Sequence, residues 1–447
     1  MNDDVAHMPD QAKKEGPPAQ APKPAKRRGA VVERCRRGFK PPALKSPTPA
    51  KNLKRAYAWL NERRAVVTIL GKTWVLNLPD PADAEGKLSF STFEDFKRRY
   101  ANWSMGTEGE EGETESRKPA DLWLLTPVRR TYSDVVLDPA ETEDPDAYNL
   151  WNGFAVVARS GPWPTIEHHL REVICAGNEA NYHWLLHWMA RCVQRPDAQA
   201  EVAVILRGKK GTGKGMAARL LQRIFGPRHS FQASSQGDFL NRFNGHLSRT
   251  LFFFIDEAFW AGDKKSEGRL KAIITEDRIT VEEKYQPKMM MRNRLKIMMA
   301  SNEQWVVPAT ADERRFFVLD VSDRCKGDAS YFKKLAEAVD GYEVEAFFAH
   351  LCGMGLSDFD HRNPPHTTGL NDQKLSNLPS FDAFWYDCLT TGRTVSFGWT
   401  SAVPGTLLYE EYKAGRRFGV PVTSAQVGRR LRELEHRAFN RKHSLRA

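Results

Sequence analysis

The sequence of 447 residues predicts an α/β fold with a mostly parallel sheet, and three observations favour this class. Four short runs consist mainly of Val, Ile, Leu, Phe, Met and Ala, as in strands buried on both faces of a sheet. These runs are residues 201–207, 250–255, 295–300 and 316–319. The first run leads directly into a glycine-rich loop. After that loop, apolar residues recur at helical spacing from Met216 to Phe225.

The glycine-rich loop after the first run has the composition of a phosphate-binding loop. Its glycines allow backbone N–H groups to turn inward onto phosphate oxygens, and Lys214 is placed to neutralise the β- and γ-phosphates. The predicted nucleotide contacts are Gly208, Gly211, Thr212, Gly213, Lys214, Gly215 and Met216. Gly215 stands where such loops normally have Ser or Thr, whose hydroxyl holds Mg²⁺. We therefore expect ATP and Mg²⁺ as ligands, with the metal held by an acid elsewhere in the chain. Adenylate-kinase-like loops also carry Gly-Lys-Gly, so a nucleotide kinase stays open at this point.

Polar residues follow the second and third apolar runs and favour hydrolysis. Asp256 and Glu257 end the second run. Asp256 is suited to coordinate Mg²⁺, and Glu257 to orient and deprotonate an attacking water. A kinase has to exclude water, so a water-activating acid argues against that class. Asn302 follows the third run, where a neutral amide can hydrogen-bond both the water and the γ-phosphate.

Two arginines precede the fourth apolar run. Arg314 and Arg315 could pair only with neighbouring acids, or one of them could reach the γ-phosphate bound by an adjacent subunit. A contact of the second kind is worth on the order of 10³–10⁵ in rate. The sequence favours the second interpretation but does not decide between the two arginines.

At these four clusters the chain resembles the superfamily 3 helicases of the AAA+ class, in particular the helicase module of phage and plasmid primase–helicases. The resemblance covers about residues 148–323 and includes the segments 148–154 and 243–247. Members of that family commonly tolerate Gly after the loop lysine. The resemblance implies an AAA+ P-loop core, a ring that is usually hexameric, ATP bound between subunits and DNA passing through the centre.

A hairpin is predicted between the acids and Asn302. Residues 278–284 and 289–294 have strand-like composition and flank a turn that contains proline. The tip carries Lys284, Tyr285 and Lys288, a cationic and aromatic combination suited to DNA. In the related ring helicases, a hairpin before the Asn-bearing strand grips DNA in the pore. The alternative is a solvated surface hairpin.

Composition and element pattern divide the chain into five regions. They are a disordered basic tail (1–55), a small α+β accessory region (56–160), a helical collar (161–200), the ATPase core (201–350) and a small helical, winged-helix-like C-terminal domain (365–447). The accessory region has a predicted β-hairpin that turns at Gly71–Lys72. The collar has two predicted helices that break near Gly177, and the resemblance implies that it holds subunits together. The last helix of the C-terminal domain is basic, which suits DNA docking.

Overall composition is consistent with a polyanionic partner. The chain has 67 Lys and Arg against 56 Asp and Glu, a formal net charge of +11. The six cysteines are scattered singly, which argues against a zinc site or a disulfide framework. No run approaches the ~20 apolar residues needed to span a bilayer, and no apolar stretch follows the basic N-terminus as in a signal peptide. We expect a phage- or prophage-encoded protein in the bacterial host cytoplasm.

The leading functional hypothesis is a ring-forming, ATP-dependent DNA helicase of phage-type replication. The region before the collar is too short for a primase–polymerase domain, so we expect a separate primase. One alternative is a replication initiator that remodels DNA without processive unwinding. The other is a P-loop nucleotide kinase.

Overall fold

The first helix among the described residues overlaps the predicted tail. The computed structural model describes residues 49–79, 88–108, 114–233, 244–257, 264–282, 284, 287–304, 306–309, 313–398, 403–415 and 421–444. Residues 1–48 lie outside the described residues. Helix α1, Pro49–Arg63, includes residues 49–55, for which the sequence wrongly predicts disorder. Ala56 and Leu60, one turn apart in this helix, are fully buried, and this burial stabilises the helix that extends back into residues 49–55.

The accessory region contains small β-structures and short helices. They are helices α2 (Phe93–Arg99) and α3 (Pro119–Leu125) and strands β1 (Arg64–Ile69), β2 (Lys72–Asn77), β3 (Ser89–Ser91), β4 (Met105–Glu108), β5 (Thr114–Arg117), β6 (Thr131–Tyr132), β7 (Val135–Val136) and β8 (Tyr148–Asn149). The hairpin β1–β2 is confirmed. It turns at Leu70–Gly71, one residue earlier than predicted, and both residues have positive φ (47° and 77°), as the tightest hairpin turns require. Alternate residues of β1 face the central core (Val67) and a separate aromatic cluster (Val66).

The two predicted collar helices are confirmed, with a break between them. Helix α4, Pro164–His168, continues as a π-helical turn over His169–Ile174. Helix α5, Glu179–Gln194, starts after Gly177, which has a positive φ of 76°. Both helices bury their apolar residues in the central core.

The centre of the molecule is a five-stranded sheet in which every neighbouring pair is parallel. Its strands are β9 (Ala203–Arg207), β10 (Ser230–Ala233), β11 (Phe252–Ile255), β14 (Lys296–Ser301) and β15 (Phe316–Asp320). Their order is β10-β11-β14-β9-β15. The predicted α/β class with a mostly parallel sheet is therefore confirmed. The edge strand β10 was not predicted, because its four residues include Ser and Gln and its outer edge lacks a neighbour among the described strands.

Helices cover the sheet and connect its strands. They are α6 (Lys214–His229), α7 (Lys264–Thr275), α8 (Ala329–Asp340), α9 (Tyr342–Gly353) and α10 (Thr368–Ser376). Helix α6 is interrupted at Gly226 (φ 73°), where the sequence predicts its end. Strands β12 (Arg278–Val281) and β13 (Met289–Arg292) pair antiparallel, as the predicted hairpin requires.

The C-terminal region is a small helical unit with its own core. Its helices are α11 (Ser380–Thr391), α12 (Gly405–Gly415) and α13 (Ser424–Ser444). They surround a cluster that includes Phe381, Phe384 and Tyr412. The three predicted helices are present, and the winged-helix assignment stays a prediction.

Candidate nucleotide-binding site

The glycine-rich loop joins β9 to α6 at the carboxyl edge of the sheet. Gly211 and Gly213 have φ of 81° and 93°, a region that L side chains rarely adopt. A Cβ at Gly213 would lie 2.6 Å from His169 Cε1 and 2.9 Å from Phe332 Cε1. Glycine is therefore required at Gly213 both by conformation and by space. Gly213 is also the N-cap of α6 and gives it no side-chain cap, so the helix end can serve an anion.

The Lys214 amine is held at the centre of this loop. Its Nζ donates to the carbonyl oxygens of Gly208 (2.6 Å) and Lys209 (2.8 Å) and to Asn302 Oδ1 (2.9 Å). The side chain is buried, and burial lowers its pKa, while the nearby charge of Asp256 opposes that shift. The amine thus sits in a low-dielectric position where a phosphate can replace its neutral partners.

Other loop residues have different local roles. The Thr212 hydroxyl donates to the Lys209 carbonyl oxygen at 3.0 Å, which closes the loop on itself. The Met216 N–H donates to the Gly213 carbonyl oxygen at 2.9 Å and starts the helix. Gly215 is exposed, and a Cβ there would meet nothing within 4 Å. Steric space therefore does not explain why Gly215 replaces Ser or Thr.

A buried histidine supports the loop from behind, and sequence reasoning did not identify it. His169, in the π-helical turn, has Nε2 3.2 Å from the Gly213 carbonyl oxygen and Nδ1 2.8 Å from the Tyr331 hydroxyl. Burial lowers the pKa of His169 to about 4, so the ring is neutral at pH 7. Because a carbonyl oxygen can only accept, Nε2 carries the proton and Nδ1 accepts from Tyr331. Nothing in the sequence around His169 indicates this contact, since Gly213 is 44 residues away.

The two acids lie at the end of β11, on the same edge of the sheet. Asp256 is half-buried and close enough to influence the Lys214 pKa. Glu257 is exposed and has a positive φ of 56°, a conformation that costs a non-glycine residue about 1–3 kcal/mol. The Glu257 N–H donates to Asp256 Oδ1 at 3.1 Å. This bond fixes the carboxylate of Asp256 relative to the strand end.

Asn302 and Lys214 are brought together as the motif order predicts. Asn302 directly follows β14, the strand next to β9. Its side-chain oxygen accepts a hydrogen bond from the Lys214 amine. Asn302 is otherwise exposed. Amine, amide and carboxylate thus meet at one edge of the sheet, where ligands of open α/β sheets bind.

The two arginines lie at the opposite edge and differ from each other. β15 pairs with β9 from Phe316 opposite Ala203 to Asp320 opposite Arg207. Five residues at about 3.3 Å each separate the start of β15 from the loop by about 16 Å. Arg314 and Arg315 therefore lie far from the Lys214 of their own chain.

A buried glutamate distinguishes the arginines. Glu313 is 4 % exposed, and its Oε1 accepts from the backbone N–H groups of Arg314 and Arg315. The Arg315 guanidinium also donates to this oxygen at 3.1 Å, and Lys271 of α7 lies 3.3 Å from the other oxygen. The Arg314 side chain is exposed and forms no ion pair with any residue that the structure describes.

The hairpin carries its predicted lysines near the tip. Lys284 and Lys288 are exposed, and Lys288 Nζ lies 3.2 Å from a carboxylate oxygen of Glu282. Tyr285 lies outside the described residues. The hairpin geometry is thus as predicted, and the role of its tip stays a prediction.

An open cleft of about 740 Å³ lies beside the loop. This volume is in the range of small-molecule sites. The ends of β9, β14 and β15 form its walls together with α10, through Gly208, Asn302, Ser322 and Leu375 among others. Ion pairs from Arg207 to Asp320 (2.5 Å) and Asp372 (2.6 Å) cross one side of the cleft.

Comparison with known proteins links this part of the chain to a family without an assigned function. Residues 206–315 match the family described as "Family of unknown function (DUF5906)". The matched segment extends from the end of β9 to the start of β15, so it includes the loop, both acids and Asn302.

The chain is also similar to one phage protein in sequence and to solved structures of the NrS-1 C-terminal region in fold. The chain is similar to the "DNA Primase-polymerase" of Nitratiruptor phage NrS-1, with 29% identity over 173 residues, which cover 38% of this chain and 24% of the relative. The match thus spans about a quarter of the relative's length. The apo structure of the NrS-1 C-terminal region has a TM-score of 0.53 at 18% identity and covers 80% of this chain and 85% of that chain. A second apo structure, the A form, has a TM-score of 0.54 at 19% identity and covers 72% and 74%. At this identity the likeness shows a shared fold.

In the part of the chain that the structure describes, no helix has the length and apolar character needed to cross a membrane.

Proposed function

We propose that the protein is a ring-forming, ATP-dependent DNA helicase of phage-type replication, with an AAA+ core of the superfamily 3 type. The observation that carries this proposal is the convergence of Lys214, Asp256 and Asn302 at one edge of the sheet, beside a loop with left-handed glycines. These groups supply a cation, a metal-binding carboxylate and a neutral amide, which are the parts that hydrolysis of a triphosphate needs.

The residues present fit Mg²⁺ and ATP. The uncapped N-terminus of α6 and the loop N–H groups would hold phosphate oxygens, and Asp256 would hold Mg²⁺. Mg²⁺ held there would neutralise part of the phosphate charge. The open space at Gly215 leaves room for water in the position where a hydroxyl usually binds the metal.

The chain's own groups would then act on water and the γ-phosphate. Lys214 exchanges its carbonyl partners for phosphate oxygens, which compensates the negative charge. Glu257 accepts a proton from the attacking water, while Asn302 orients that water against the γ-phosphorus. The water oxygen forms the new P–O bond, the bond to the β-phosphate oxygen breaks, and ADP leaves with the electron pair.

The position of Arg314 supports a site shared between subunits. Arg314 is exposed, and the start of β15 is about 16 Å from the loop of the same chain. An arginine in this position could reach a nucleotide only in an adjacent subunit, so we propose the trans role for Arg314 and a structural role for Arg315. A closed ring, which we propose to be hexameric, satisfies every such site.

DNA is proposed as the polymer that this ring moves along. The exposed Lys284 and Lys288 of the hairpin, together with Tyr285, would contact it. The similarity to a phage DNA primase-polymerase supports a place in phage DNA replication, in the host cytoplasm.

One observation also fits a second candidate, a replication initiator that remodels DNA. The C-terminal unit exposes Arg429 and Arg432 on α13, while Arg430 is bound to Asp382 at 2.6 Å and 2.8 Å. A basic helix face on a small separate core suits docking on duplex DNA. This feature is compatible with both functions, so only an assay of strand separation distinguishes them.

The test is strand displacement from a forked duplex with Mg²⁺ and ATP. We expect unwinding by the wild-type protein and none by Lys214→Ala. ATP turnover and duplex binding without displacement would favour the initiator. Turnover that depends on a nucleotide acceptor and ignores DNA would favour the kinase.

A further inference from the structure

Helix α10 closes one side of the nucleotide cleft and also holds the loop that follows β14. That loop starts with Asn302, and its described residues are 302–304 and 306–309. Leu375 and Ser376 of α10 line the same cleft as Asn302 and Gly208. The helix therefore borders the groups that would contact the γ-phosphate.

A single buried side chain forms most of the link between α10 and the loop. Gln373 has 0 % exposure. Its Oε1 accepts from the N–H groups of Val306 (2.7 Å) and Val307 (3.2 Å), and its Nε2 donates to the Gln304 carbonyl oxygen (2.5 Å). The side-chain amide thus forms hydrogen bonds with three backbone groups of the loop, which are not bonded within the sheet.

Further contacts fix α10 both to the sheet and to the loop. Asp372 binds Arg207, the last residue of β9, at 2.6 Å. The Asn377 side chain donates to the Ala309 carbonyl oxygen at 3.2 Å. A Cβ at Gly369 would lie 2.9 Å from a Val318 side-chain carbon, so the helix is pressed against β15.

The position of Asn302 depends on this support. The Asn302 side chain is exposed. Among the described residues, it accepts a hydrogen bond from the Lys214 amine. Its backbone is anchored by β14 on one side and, two residues later, by the bond from Gln373 to Gln304 on the other. Loss of that bond would leave the Asn302 amide free to turn away from the reacting atoms.

We propose that Gln373 is a positioning residue for ATP hydrolysis, which acts by holding the loop so that Asn302 faces Lys214. This inference rests on the proposed ATPase function. It makes α10, which is followed after three residues by the C-terminal helices, part of the catalytic support.

The test is a double-mutant cycle in the full chain, with Gln373→Met and Asn302→Ala alone and together. Met has a similar length and cannot replace the hydrogen bonds. We expect Asn302→Ala to lower kcat for ATP by about 10²–10³-fold, and Gln373→Met by about 10- to 10²-fold with little change in KM. If Gln373 acts through Asn302, adding Gln373→Met to Asn302→Ala should lower kcat no further.

A matched control separates positioning from general stability. Gln194, on helix α5, also donates to two backbone carbonyls, those of Leu351 (2.7 Å) and Met354 (2.8 Å) at the end of α9, and neither of these bonds involves the described residues of the loop. Gln194→Met should lower the unfolding temperature and leave kcat unchanged. Gln373→Glu keeps the two acceptor bonds but places an oxygen instead of a donor against the Gln304 carbonyl, so it should lower kcat about as far as Gln373→Met, and it serves as the second variant if Gln373→Met does not fold.

The outcomes distinguish failure of the role of Gln373 from failure of the proposed ATPase function. Multiplicative losses of kcat in the cycle, or an equal loss of kcat in Gln194→Met, would overturn the role of Gln373 while the ATPase function stands. Absence of ATP turnover in the wild-type protein would instead overturn the proposed function and this inference with it.

Discussion

The loop glycines provide a prediction that the structure makes quantitative. Gly213 and Gly215 are two residues apart, yet only Gly213 has a positive φ and close neighbours. An alanine at Gly213 would adopt φ near 93° at a cost of roughly 1–2 kcal/mol. Its methyl group would also overlap His169 Cε1 and Phe332 Cε1, at 2.6 Å and 2.9 Å. Overpacking of this kind costs about 1–3 kcal/mol.

Together these terms give about 2–5 kcal/mol for Gly213→Ala. The loop can accommodate this strain in two ways. It can keep its shape, in which case the unfolding free energy falls, or it can change shape, in which case ATP binding weakens. At 1.36 kcal/mol per factor of ten, the full strain corresponds to about 30- to several-thousand-fold weaker binding. Gly215→Ala has no such strain, and it should stabilise the first turn of α6 by up to about 1 kcal/mol.

The assay is titration calorimetry with Mg²⁺ and a non-hydrolysable ATP analogue, run beside urea unfolding for both variants. We expect Gly213→Ala to lose affinity, stability or both, and Gly215→Ala to keep its stability. Wild-type affinity and wild-type stability in Gly213→Ala would refute the reasoning, as would equal losses in the two variants.

Three further predictions concern other parts of the molecule. Arg314→Ala should lower ATP turnover by about 10³-fold or more at unchanged stability. Arg315→Ala loses a bond to a buried carboxylate, so it should mainly lower the unfolding free energy. The reverse pattern in turnover and urea unfolding would contradict the assignment. Burial lowers the pKa of both His169 and His229 to about 4, below the ~6.5 of an unfolded chain, so the folded state binds fewer protons between these values. Stability should therefore fall as the pH drops from 6.5 towards 4, by up to about 2 kcal/mol per histidine at pH 5, and equal urea midpoints at pH 7 and pH 5 would contradict this. Lys288→Ala should weaken single-stranded DNA binding and reduce the slope of log affinity against log salt by about 0.7–1, and an unchanged slope in a fluorescence titration would argue against hairpin contact.

The sequence alone was informative where function depends on short, local patterns. The loop, the acids and Asn302 each follow a buried strand, and parallel strands bring their carboxyl ends to one edge. For this reason the meeting of Lys214 with Asn302 could be predicted without any knowledge of the packing. The α/β class followed from the same apolar runs.

The supporting residues could not be predicted, because they come from distant segments and have no motif. His169 reaches Gly213 from a π-helical turn, and Gln373 reaches the loop after β14 from a helix near the C-terminal unit. The choice between the arginines likewise depended on Glu313, whose burial is a property of the fold. The edge strand β10 was missed because four partly polar residues give too weak a pattern.

The roles assigned to the site residues, the ring and the DNA contacts stay predictions, since the similar solved structures show a shared fold. The central claim is that ATP is split at the loop between β9 and α6. Release of inorganic phosphate from ATP, measured with and without single-stranded DNA for the wild-type protein and Lys214→Ala, tests it most directly. We predict Mg²⁺-dependent release that DNA stimulates and that falls at least about 10²-fold in Lys214→Ala. Equal release by the two proteins would contradict the account.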